Sequence, residues 1–134
     1  MEWFSFKAAD EYFGIETQCI HRVIDGVKVT PVPLVPSCHL GVMYYRGEVF
    51  EVIHVGSLLE QREASYNENS RIILLKWSSK KLALVPDHII GLIWVEDTKV
   101  KQTVYTHREY TVRIITPDHI WKRVSELSYG PYKV

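Results

Sequence analysis

The chain is poor in most of the features that mark specialised proteins. Of its 134 residues only two are cysteines, Cys19 and Cys38. That is too few for a disulfide scaffold, and a chain of this length buries a core without staples. Neither sign of charge dominates: sixteen Lys and Arg stand against sixteen Asp and Glu. Such a balance withholds the basic field that normally accompanies nucleic-acid binding. No apolar run reaches the length of a membrane-spanning helix. The opening MEWFSFKAADEYF lacks the basic-then-apolar layout of a signal peptide. The expected location is therefore the cytoplasm, without insertion into a membrane.

Catalytic signatures are missing as well. There is no Gly-x-Ser-x-Gly elbow, Walker loop, dinucleotide fingerprint or His-Glu-x-x-His. Glu48 and Glu51 lie three apart in a strand-like run and so point to opposite faces, which does not build a carboxylate pair around one bond. Cys19 with His21 and Cys38 with His39 offer two sulfurs and two imidazoles. A helix over residues 17–24 would aim the first pair about 200° apart, and a strand would aim the second pair to opposite faces. The expectation is no enzyme, no metal and no cofactor.

What is present is a succession of short strands. Trp3 to Lys7 is strand-like and turns at Ala8–Glu11 into Tyr12–Ile15. Cys19, Ile20, Val23 and Ile24 then fall at helical spacing, with Thr17 placed to cap and Gly26 to terminate. The spacing predicts a short amphipathic helix that exposes His21, Arg22 and Asp25. Val27 to Pro36 carries three prolines and is extended; its interleaved Val32, Leu34 and Val35 are expected to pack on the chain's own core rather than serve as a proline-rich ligand. Val55 to Glu60 reads as a turn or short helical piece, and residues 61–70 as a flexible polar loop. Arg71–Trp77, Leu82–Val85 and Ile89–Val95 are apolar strands in which Trp77 and Trp94 read as core. Thr103 to Ile115 reads as a last hairpin. A hydroxyl and a proline, Thr116 and Pro117, open a terminal helix over 117–127 with an Ile120, Trp121, Val124 and Leu127 stripe. Many short strands without strand–helix alternation indicate small, mutually packed β-barrels.

One segment is more specific. His39 to Ile53 comprises two apolar strands joined at Arg46-Gly47, with Gly41 at the start of the first. It resembles the signature of the CheW-like family, the coupling proteins of bacterial chemosensory arrays. Tyr12–Ile15 with Ile20–Ile24, the Val29–Pro33 approach, Arg71–Val95 with Pro86-Asp87, and Thr111–Leu127 are similar to the family's other segments, in the same order. The resemblance implies a single domain over 1–134, mainly β, made of two packed five-stranded barrels with one short internal helix and a C-terminal helix. It further implies a non-catalytic adaptor whose partners are a chemoreceptor's cytoplasmic tip and the regulatory domain of a CheA-type histidine kinase. By the same matching, Arg46 and Gly47 at the turn, Val49 beside it, and Ile20, Arg22 and Val23 are the expected partner-binding residues.

The rim chemistry departs from the family. Arg22 stands where an acid is usual, Glu51 and His54 replace the usual proline and aspartate, and Pro86 precedes the matched aspartate. Two other readings therefore stay open: the same fold diverged toward other protein partners or self-association, and a small-ligand or nucleic-acid-binding β-barrel.

Overall fold

The computed structural model describes residues 2–25, 28–60, 70–94, 104–107 and 110–127. The strands are β1 (Glu2–Ala8), β2 (Glu11–Glu16), β3 (Ile20–Asp25), β4 (His39–Tyr45), β5 (Glu48–His54), β6 (Arg71–Trp77), β7 (Lys80–Val85), β8 (His88–Trp94), β9 (Val104–His107) and β10 (Tyr110–Ile114). Two helices join them, α1 (Val55–Glu60) and α2 (Pro117–Ser125). The strands form two five-stranded sheets, in the orders β8-β1-β2-β10-β9 and β3-β6-β7-β5-β4. The fold is mainly β and two-lobed, as the resemblance implied. The sheets are open rather than closed barrels: among the described residues no ladder joins β8 to β9 or β3 to β4.

Strand alternation explains how the sheets mate. On β6, Ile72 and Leu74 enter the interior of the second sheet while Ile73 and Leu75 enter a core shared between the sheets. On β7, Ala83 and Val85 face the first of these and Leu82 and Leu84 the second. Phe6, Phe13 and Ile15 approach the shared core from the first sheet, and Ile120 and Val124 close it from α2. A strand buried on both faces must be apolar throughout, which is why Arg71–Trp77 shows no alternation of polarity. Asp87 fastens the lobe edge: its Oδ2 accepts from Ala9 N–H at 3.0 Å, steadying a turn in which Ala9 and Asp10 both have positive φ.

Four expectations need correction. Residues 17–24 are not a helix. A 3-10 turn at Thr17–Cys19 leads directly into β3, which pairs with β6. Thr17 Oγ1 donates to the Glu2 carbonyl at 3.3 Å instead of capping. The short internal helix is α1, from the segment read as a turn or helical piece. Val32 and Leu34 are exposed, because residues 28–36, a strap across the second sheet, pack through Val29 and are tied to β4 by the Thr30–Val42 bridge. Trp94 is exposed on β8, an edge strand, and Trp77 is only half-buried, its ring edge-on to Trp121. Residues 61–69 and the His107–Glu109 turn centre at 108–109 lie outside the described residues.

Candidate partner-binding site

The site begins with a tight hairpin. Tyr45 and Glu48 are paired, leaving Arg46 and Gly47 as a two-residue turn with φ of 50° and 81°. Positive φ at both centres is the geometry that matches the twist of the flanking strands, and it favours Asn or Gly at the first centre. Arginine fits poorly there: a side chain in the left-handed region costs roughly 1 kcal/mol. Its guanidinium lies over the Tyr45 ring, 5.2 Å from the centroid, a contact worth about 0.5–1 kcal/mol at an exposed site. The turn is thus close to neutral for folding, and it holds a cation outward.

The glycine at the other end of the hairpin has a steric reason. Gly41 has φ of 138° where the β4–β5 register shifts, and the strap crosses directly above it. A Cβ at this position would overlap the Thr30 carbonyl. The close approach lets Thr30 and Val42 exchange two backbone hydrogen bonds of 2.8 and 2.9 Å.

Alternation divides the hairpin into two faces. On one, Tyr45 carries Arg46, and His21 of β3 sets its ring edge against Tyr45, with centroids 6.3 Å apart. That contact brings the edge strands of the second sheet together and links the Arg46 turn to the β3 residue adjoining Arg22. On the other face Val49 lies directly across from Tyr44, at 44% and 71% exposure. Of the residues expected to meet partners, Arg46, Gly47, Val49 and Arg22 are exposed, whereas Ile20 and Val23 are half-buried against the shared core. Tyr44 is the residue that sequence reading missed; its outward parity with Val42 was the available signal.

The charges near the turn are largely paired. Lys76 Nζ donates to both Glu48 oxygens, at 3.0 and 2.9 Å, and Lys81 lies 3.5 Å away. The Lys76 hydrogen bond holds the Glu48 carboxyl below its ordinary 4.5. Glu51 sits 3.8 Å from the buried His39, beyond hydrogen-bond length, and interaction with this imidazole lowers its carboxyl pKa against partial burial. His54 does the work an aspartate would do: its Nδ1 accepts from Ser57 N–H at 3.1 Å at the start of α1. Burial pushes the Cys19 and Cys38 thiols up. Among the described residues no three His, Cys, Asp or Glu side chains converge on a metal position.

Comparison with known proteins bears on the family and the fold. The family model for the CheW-like domain matches residues 2–120. Protein FrzA of Myxococcus xanthus is 30% identical over 91 residues, covering 68% of this chain and 57% of FrzA. The chemotaxis protein CheW of Rhizobium meliloti is 24% identical over 102 residues, covering 76% of this chain and 66% of that protein. The chain therefore matches less than two thirds of the length of these relatives. The crystal structure of the scaffolding protein TtCheW from Thermoanaerobacter tengcongensis superposes with a TM-score of 0.74 at 20% identity, covering 85% of this chain and 87% of the other. The architecture is the same as TtCheW's, and the chain belongs to the CheW-like family.

Proposed function

We propose that the protein is a non-catalytic adaptor that couples a chemoreceptor's cytoplasmic tip to the regulatory domain of a CheA-type histidine kinase. The observation that carries this reading is Arg46. An exposed arginine occupies a left-handed turn position that folding would fill better with Asn or Gly, and its fork suits a partner's carboxylates or carbonyls. The relatives support the setting: one is a chemotaxis protein CheW and a structural neighbour is a scaffolding protein. Tyr44 and Val49 give the tip an apolar patch, and an apolar centre with a charged rim is the ordinary make-up of a protein interface.

A second reading keeps the fold and changes the partner. It is favoured by Arg22, exposed on β3 where the family usually carries an acid, since a reversed rim charge redirects partner choice. Co-purification separates the two. The adaptor reading expects a receptor-tip fragment and a kinase regulatory domain to be retained together by the protein and lost with Arg46→Ala. Retention of neither by the parent protein points to the diverged partner.

A further inference from the structure

The second sheet ends in a rim to which each of its strands contributes a side chain. Paired residues of an antiparallel ladder share a side, as do alternate residues of one strand. Arg22 of β3 is paired with Leu74, and Lys76 of β6, two residues on, is paired with Lys81 of β7. Tyr45 of β4 is paired with Glu48 of β5, which lies two residues before Phe50. Leu74 and Phe50 belong to the sheet's interior cluster. Arg22, Lys76, Lys81, Glu48 and Tyr45 therefore all stand on the interior side, at the end where the Arg46-Gly47 turn lies. His21 against Tyr45 joins the two edge strands there, and Arg46 lies over the same ring.

The charges of this rim do not balance, although the chain as a whole is neutral. Glu48 is its one carboxylate, and it is held by Lys76 and Lys81. Arg22 and Arg46 are exposed and form no ion pair among the described residues. Asp118 does not offset them, because it binds Trp77 and Lys80 on the opposite side of the sheet. We propose that the rim docks an acidic segment of a protein partner, with the segment's carboxylates at Arg22 and Arg46. A planar guanidinium matches a carboxylate bidentately. Glu48 disfavours a polyphosphate, whose unbroken run of charge would lie against it. Tyr45 is already engaged by Arg46 and His21, which removes the stacking platform that single-stranded nucleic acid uses. The inference deepens the adaptor reading: it rests on the Arg46 turn being a protein contact and adds that the contacting segment is acidic.

Hexaglutamate serves as the probe, titrated into the full chain at low salt and followed by amide NMR. The expected result is saturable shifts centred on Arg22, Tyr45, Arg46 and Lys81, diminished by added salt. Arg22→Gln should weaken binding about threefold and R22Q/R46Q about tenfold, the scale of exposed charge pairs. Arg22→Glu should abolish it. Arg22 has no ion pair to lose among the described residues, so its variants keep the test sharp if the double variant is unstable. Shifts that never saturate, affinity indifferent to both Arg22 variants, or tighter binding of hexathymidylate than of hexaglutamate would each overturn the proposal. Retention of the receptor-tip and kinase fragments is scored separately. Retention without hexaglutamate binding defeats this inference alone, and hexaglutamate binding at the rim without retention defeats the choice of receptor and kinase alone.

Discussion

At the scale of single residues, the positions that look most ornamental in the sequence divide into those the fold requires and one it does not. Gly41 is required. Gly41→Ala must hold a side chain at positive φ and push the Thr30 carbonyl off the strap's bridge. It should cost about 3 kcal/mol or more in denaturant melts. A loss under about 1 kcal/mol would show that the strap is not fixed there. His54 is also structural. The sequence marks it as a departure from a usual aspartate, yet its buried Nδ1 caps Ser57 N–H as a carboxylate oxygen would. His54→Ala should cost about 1–2 kcal/mol and His54→Asn should recover part of this. Equal losses would mean that packing rather than the cap matters. This departure is buried, whereas Arg22 alters the exposed surface proposed for partners.

At the scale of elements, legibility depended on whether a pattern had one physical solution. The start of α2 had one: Thr116 Oγ1 accepts from His119 N–H at 3.1 Å and Pro117 occupies the first turn, as those residue types foretold. The Arg46-Gly47 hairpin had one as well. The segment through β3 had two. Apolar residues at 19, 20, 23 and 24 suit a helix face equally well as a strand with both faces covered. The shift of register between Ile20 and Arg22 resets the alternation, sending Ile20 and Val23 to one core and Ile24 to another. Tertiary burial decided it, and no local spacing could have. Trp94 was misread for the converse reason, since an edge strand looks apolar whether or not anything covers it.

The rim of β5–β7 makes a prediction of its own. Glu48 has a folded pKa below its ordinary 4.5, so the folded form binds fewer protons than the unfolded one. Its contribution is complete above that ordinary value and is lost as pH falls through the folded pKa. Glu48→Gln should therefore melt below the parent at neutral pH, and the two curves should converge in acid. A gap in melting temperature that persists unchanged well below pH 4.5 would assign the effect to something other than the Lys76 and Lys81 pairing.

At the scale of the whole molecule, the two sheets are held by one shared core to which β1, β2, β5, β6, β7 and both helices contribute. The lobes should accordingly unfold together. Leu84→Ala in the shared core and Val52→Ala inside the second sheet should each lower one common transition, the first by about 2–5 kcal/mol. Two resolved transitions would contradict this coupling. A frame stabilised from its interior can leave the tip of a hairpin to another task, and that is the central claim about Arg46. The most direct test is Arg46→Asn, melted alone and titrated with the kinase regulatory domain and the receptor tip. Asparagine suits the left-handed turn better than arginine, so the melting temperature should hold or rise. Partner affinity should meanwhile fall by about 1–3 kcal/mol. A lowered melting temperature with affinity intact would make Arg46 a structural residue and contradict the account.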